Sequence, residues 1–389
     1  MDYTQESIVV NSCAFIASVF LLHTGAALFT ANIAIIAQRC GIPQTLISLL
    51  TAGAEWEELA VVVASIAQHQ PSLGLGNVIG SSISNVMGAF ALGLLSNPDP
   101  IRFDLSASIY SGALFAVSTI FTLLAFTQQL NLTGGIFCIV GFAVYVVSIC
   151  SAIYDGILDP DPEVTAVEDA EAVRTATSPT PSTARQQLHV LIFPSVLQCH
   201  PTEASPLLPE CLESPSPPTL PRQRQTRYHV LLGLMGFVAL CIAACSLAYT
   251  ACSLAGAFQI SNILIGVTLV SISTTIPEKA VYVISDWHRH TAIMTATTAA
   301  SNIFLLTLCA GILLVAGTQR GADGEEGPGP GVRKGLLADQ LVAFEVWCVW
   351  GCSVLLVFVT WIGARRWLGA LLFGFYISFI VVELTFFER

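Results

Sequence analysis

Apolar stretches of about 20 residues recur along almost the whole chain, each long enough to cross a hydrocarbon layer of ~30 Å. Of the 389 residues, 54% are hydrophobic and only 11% are charged, against roughly 25% charged in an average soluble domain. So few charges do not solvate the surface of a soluble protein this long. That excludes a soluble enzyme, a nucleic-acid binder and a disulfide-rich secreted module. The net charge of -11 argues further against a polyanionic partner. The twelve cysteines lie mostly inside apolar runs and form no CxxC pair, so they read as small hydrophobes. The opening MDYTQES lacks a basic n-region, so the first apolar run reads as a true span and not as a cleaved signal peptide. The expected fold is an all-α polytopic membrane protein.

Runs broken by Pro, Gly or charge place ten spans near 8–37, 43–67, 72–95, 105–127, 133–154, 229–250, 258–285, 291–317, 338–361 and 366–387. The composition changes between the fifth and sixth. Asp155 to Glu171 holds seven acidic residues, and twelve of the nineteen prolines fall between Pro160 and Pro221. Such a stretch buries too little apolar surface to offset its ordering entropy. The expected organisation is a first five-helix repeat over 1–155, a disordered linker rich in acid, Pro and Ser over 156–227, and a second five-helix repeat over 228–389. Ser178-Pro179, Thr180-Pro181, Ser214-Pro215 and Ser216-Pro217 are candidate sites for kinases or regulatory partners in the linker.

The Lys/Arg count sets the expected orientation. With the N-terminus outside or lumenal, the inner loops and linker hold ten arginines, the outer segments hold Arg320, Arg333, Lys334 and Arg389, and Lys279 lies within a span. The linker is then cytosolic. Nothing in the sequence selects the organelle.

A repeat with an odd number of spans enters the membrane the opposite way the second time, so five-plus-five similarity is inverted-topology similarity. Residues 51 to 85, TAGAEWEELAVVVASIAQHQPSLGLGNVIGSSISN, run parallel to residues 271 to 305, SISTTIPEKAVYVISDWHRHTAIMTATTAASNIFL. Glu58 and Ser81 are 23 apart, as are Glu278 and Ser301. Each stretch passes through a short polar turn, Gln68-His69-Gln70-Pro71 in one and His288-Arg289-His290 in the other.

These segments resemble the α-repeats of the cation/calcium antiporter superfamily, which contains sodium/calcium and proton/calcium exchangers. Thr274-Thr275-Ile276-Pro277-Glu278 is similar to the family's first element, G-T-S-x-P-E-L, and Gly76-Asn77-Val78-Ile79-Gly80-Ser81 to the start of its second, G-N-x-x-G-S-N-x-x-N. The resemblance implies an antiporter exchanging Ca2+ for Na+ or H+ by alternating access, with no resident cofactor and with the bilayer and inorganic cations as partners. The chain departs from the pattern in four places. Glu57 replaces a proline, Ala54 a threonine, and Leu305 an Asn or Asp ligand, while Lys279 follows Glu278 where an apolar residue is usual.

Helical spacing carries the same site without the family. Ser271, Thr274, Thr275 and Glu278 stand at i, i+3, i+4 and i+7, one face of a helix. Thr51, Glu55 and Glu58 make the matching stripe in the first half, and Ser81 and Asn85 share a face of the following span. Ser301 repeats Ser81. Hydroxyl, amide and carboxylate oxygens are hard ligands suited to Ca2+ and Na+. A carboxylate at mid-bilayer costs at least ~2.5–3.5 kcal/mol and needs a partner or an aqueous cavity. Glu55 adds a carboxylate that favours protons as counter-ion, since protonation relieves like charges at close range.

Each feature also has a plainer reading. Ser and Thr on membrane helices often bond the preceding turn. Gly74, Gly76 and Gly80 read equally as a packing seam. Asn77 caps or packs, Glu57 faces a polar crevice, and His69, His288 and His290 are solvated turn residues. Glu383 pairs or sits at an interface. Two other functions stay open: exchange of another cation (Mg2+, Mn2+ or K+) on the same scaffold, and a non-transporting membrane sensor or scaffold that keeps the fold. No nucleophile–base pair or phosphate-binding loop suggests an enzyme.

Overall fold

The computed structural model of the chain describes residues 3–41, 54–96, 103, 105–154, 222–275, 291–323, 343–363 and 365–386. All regular structure among them is helical. Among the described residues, five helices precede residue 155: α1 Tyr3–Arg39, α2 Trp56–Ala67, α3 Pro71–Ser96, α4 Leu105–Phe126 and α5 Leu132–Tyr154. Five follow it: α6 Arg222–Phe258, α7 Asn262–Thr275, α8 over 291–323, α9 Ala343–Ile362 and α10 Arg366–Phe386. Eight of these are long and apolar enough to cross a membrane; α2 and α7, as far as they are described, are shorter. The chain divides into a unit of 1–160 with 226–389 and a unit of 161–225. Both sets of five helices fall in the first, apart from residues 222–225 at the start of α6.

Helices are the expected solution for such runs, because hydrocarbon offers no partner to an unpaired backbone group. Several polar side chains within the spans follow the same rule. Ser18, Asn32, Ser82 and Thr250 each donate to the carbonyl four residues back. Large apolar side chains such as Phe20 and Trp361, 70% and 83% exposed, point outward and suit lipid. Burial picks out the centre of the bundle. Within their most apolar windows, 89% of α3 and 78% of α8 is buried, against 22% to 33% for α1, α4, α5, α6 and α10.

The two halves keep register over their first and third helices. The 220-residue displacement that carries Glu58 onto Glu278 carries α1 onto 223–259, and α6 is Arg222–Phe258. It carries the π-helical turn Ser84–Phe90 of α3 onto 304–310, and α8 is π-helical over Leu305–Cys309. A wide turn at the same place in both halves is a repeat of backbone distortion as well as of sequence.

Equivalent helices run in opposite directions. Ser18 bonds Ser246, Asn32 bonds His229 and Arg39 bonds Thr226, so α6 descends as α1 rises. At their crossing Gly25 lies against the backbone of Leu240, and Gly236 against that of Phe29. On α3 and α8, Gly74 lies beside Leu313 and Asn85 beside Asn302, again antiparallel. The topology is therefore inverted.

The polar turn expected over 68–71 is present. Gln68 closes α2, His69 takes the left-handed backbone with φ 61, and Pro71 opens α3. Gln70 accepts a 2.6 Å bond from Asn262, tying this turn to the start of α7. His69 is exposed, as expected of a turn residue. Its counterparts His288 and His290 lie outside the described residues, as does the interior of the linker.

Candidate functional site

The second span, expected as one helix over 43–67, is helical only from Trp56 among its described residues. Ala54 and Glu55 precede the helix, and the Glu55 carbonyl accepts the first helical bond, from Leu59. The Thr51–Glu55–Glu58 stripe is therefore not one continuous helical face. The physical reason lies in the charge pattern. A helix N-terminus carries unpaired N–H groups and a partial positive charge, and Glu55, Glu57 and Glu58 sit at its cap and first turn to complement it. All three side chains are buried, Glu58 to 1% exposure.

The α2–α3 hairpin sets the height of Glu58. Ser65 of α2 touches Gly74 of α3 so closely that a Cβ there would lie 2.3 Å from its Oγ. Glu58 and Ser81 each lie seven residues from that contact, about 10 Å along either axis, and so at one level. Ser81 is fully buried and its hydroxyl has no hydrogen-bond partner.

The seam between α3 and α7 brings in the second half. A Cβ on Gly76 would lie 2.3 Å from the Ile263 carbonyl, and one on Gly80 the same distance from that of Val267. Only glycine permits this approach, so the plainer reading of Gly76 and Gly80 as a packing seam holds. Its consequence is positional, because Ser271 is set directly against Gly80, beside Ser81. Ser271 donates to Val267 and Thr274 to Val270, leaving hydroxyl lone pairs as acceptors. Thr275 has no hydrogen-bond partner for its hydroxyl. A π turn, Gly266–Val270, leads into this group.

From α3, Asn85 reaches across to α8 and donates a 3.1 Å bond to Asn302, next to Ser301. Ser81, Asn85, Ser271, Thr274, Thr275 and Ser301 are all at most 2% exposed. α2 packs on α3 and on the π turn of α8, and α3 packs on α7 and α8. Of the ten site residues expected, eight thus lie on packed, buried elements. Thr51 and Glu278 lie outside the described residues. Among those described, no three His, Cys, Asp or Glu cluster to hold a metal.

Beyond the expected set, the buried polar residues include Asn302, Asn77, Glu57, Glu345 and Glu383, and of these Asn302 and Glu345 were not singled out from the sequence. Asn302 is in the pattern, but only its partner reveals a role. Asn77, expected to cap or pack, is fully buried with both amide atoms unpartnered, so it packs and does not cap. Glu57 was expected in a polar crevice; it is buried and meets His23 of α1 at 3.1 Å. Glu345, in the first turn of α9, is 2% exposed, and Glu383 of α10 is buried to 1%. Asn77 and Asn302 lie within the repeated motifs and Glu57 stands at a proline position, whereas Glu345 and Glu383 have no motif around them.

The pattern that describes sodium/calcium exchanger proteins matches residues 11–150 and 228–385. The chain belongs to the sodium/calcium exchanger family. It is thus an integral, multi-pass member of a family of cation/calcium exchangers, embedded in lipid and handling inorganic cations. No curated protein matches the sequence. Among solved structures, native YfkE shares the fold with a TM-score of 0.61 at 13% identity, over 97% of this chain and 92% of that one. The sodium-calcium exchanger NCX_Mj soaked with 10 mM Na+ and zero Ca2+ gives 0.53 at 15% identity, over 96% and 99%. The same exchanger with 10 mM Na+ and 10 mM Sr2+ gives 0.53 at 16%, over 96% and 98%. Neither matched segment of this family member includes residues 151–227.

Proposed function

We propose that this family member is a secondary active antiporter exchanging Ca2+ for Na+ or H+ by alternating access, with Glu58 and Glu278 as central ligands. Thr51, Glu55, Ser81, Asn85, Ser271, Thr274, Thr275 and Ser301 complete the donor set. The observation that carries the reading is the burial of Glu58 to 1% exposure, level with the unpartnered Ser81 hydroxyl. A bare carboxylate at such depth costs at least ~2.5–3.5 kcal/mol, which a bound cation offsets.

The charge balance explains the exchange. Two carboxylates from opposite halves neutralise one Ca2+, or else take up monovalent cations, and the two loadings compete for the same oxygens. Where the bundle cannot change its access with the carboxylates bare, empty crossing is blocked and exchange is obligatory. Glu55 adds charge next to Glu58 and favours protons among the counter-ions. In this reading the N-terminus faces outside or the lumen. Residues 156–227 form a cytosolic linker between the repeats of 1–155 and 228–389, open to kinases or regulatory partners.

The test is radioactive calcium uptake by purified protein in liposomes, under an imposed pH gradient or an imposed Na+ gradient. Uptake is expected under at least one gradient and lost in Glu58→Gln and Glu278→Gln. Variants that carry calcium as well as the native protein would overturn the assignment. Uptake driven by sodium alone at constant pH would remove the proton.

A further inference from the structure

We infer that Asn302 is a positioning residue that decides which end of the Asn85 amide faces the transported cation. The inference rests on the proposed cation site and goes beyond it by naming a residue that acts through a ligand. An asparagine side chain has two ends of almost the same shape and opposite chemistry. Its carbonyl oxygen ligates a hard cation, while its NH2 group repels one. Asn85 lies on the π turn of α3, and in the proposed site it shares the cation with the carboxylates of Glu58 and Glu55. Without a restraint, those charges attract the NH2 end and turn the wrong side of the amide to an incoming ion.

The restraint is the bond to α8. Asn85 Nδ2 donates to Asn302 Oδ1 at 3.1 Å, with both residues at most 2% exposed. Holding the NH2 group against α8 turns the Asn85 oxygen away from Asn302. The arrangement belongs to one half only. The repeat counterpart of Asn302 is Ser82, whose hydroxyl donates to Val78 within its own helix. The counterpart of Asn85 is Leu305, buried and without a donor. Asn302 precedes Leu305 by one turn, so both face the same way. The second half thus supplies an amide that orients the ligand of the first, at the level where its own ligand is missing.

The experiment is a mutant cycle in liposomes loaded with full-length protein, reading KM and maximal rate for calcium uptake. Asn302→Ala is expected to raise KM about tenfold with little change in maximal rate, the size of one lost buried hydrogen bond. Asn302→Asp keeps the accepting oxygen and is expected to stay within about threefold of native. The decisive arm uses Asn85→Asp, whose carboxylate presents oxygen at either end. In that background Asn302→Ala is expected to change KM by less than about twofold. A tenfold loss persisting there, or no loss in the native background, overturns the inference. Asn302→Leu fills the site without an acceptor and repeats the test should the alanine variant not accumulate. Glu58→Gln runs in parallel. Should it leave uptake intact, the cation site itself fails; should it abolish uptake while Asn302 proves silent, only the positioning role fails.

Discussion

Replacing Gly80 by alanine tests whether the α3–α7 seam is set by backbone contact. The added Cβ would lie 2.3 Å from the Val267 carbonyl oxygen, 2.5 Å from Ser271 Oγ and 2.7 Å from Ser271 Cβ. Ordinary contacts begin near ~3.5 Å, so the two backbones must part by about 1 Å. Overpacking of this kind costs about 1–3 kcal/mol. The better helix propensity of alanine returns about 0.5–1 kcal/mol, which leaves a net loss of ~1 kcal/mol at the middle of both ranges and of at most about 2.5 kcal/mol. Gly112 and Gly351 have nothing within 4 Å of an added Cβ, so alanine there gains propensity without strain. Thermal unfolding of purified protein in detergent is therefore expected to fall by several degrees for Gly80→Ala and to hold or rise for Gly112→Ala and Gly351→Ala. Calcium uptake is expected to fall with the first alone, because separating the seam carries Ser271 away from Ser81. A Gly80→Ala protein as stable and as active as the Gly112→Ala control would refute the close approach.

Three contacts between helices give further expectations. Ser118 of α4 donates to Ser353 of α9 at 2.6 Å, in a buried seam that also joins Ser111 to Thr360. A Ser118→Ala and Ser353→Ala cycle in detergent is expected to give a coupling of only ~0.6 kcal/mol, the usual worth of hydroxyl bonds between membrane helices; a coupling above 2 kcal/mol would contradict it. His23→Ala removes the 3.1 Å contact with Glu57 and is expected to lower stability by about 1–3 kcal/mol. His23→Gln, which keeps a donor, should recover part of that, and equal loss in both would show that packing is the cause. Asn262→Ala breaks the 2.6 Å tie from α7 to the α2–α3 turn; hydrogen exchange in that turn is expected to rise, and unchanged protection would count against the tie.

Much of the architecture was legible in the chain because it depends on length and sign. An apolar run near 20 residues must be helical in lipid whatever its neighbours are, and the helices α1, α3, α4, α5, α9 and α10 follow their runs closely. Where α6 begins was less legible. The apolar run starts near 229, but the helix continues back to Arg222 through polar residues, among them Thr226, which accepts a bond from Arg39 of α1. The break before Trp56 was not legible either, because Thr51, Glu55 and Glu58 have helical spacing. Spacing registers a face only where the backbone is helical throughout.

The chain by itself determined the inverted halves, since an offset of 220 residues relates acidic motifs, polar turns and long helices whatever their packing. It also determined which oxygens are available, because a carboxylate or hydroxyl in an apolar run stands out without coordinates. Tertiary structure alone decided which of these meet. Glu57 finds His23 and Asn85 finds Asn302 across separations of 34 and 217 residues. Periodicity is a property of one helix. Contact depends on how helices cross, and here that was set by glycines where backbones touch.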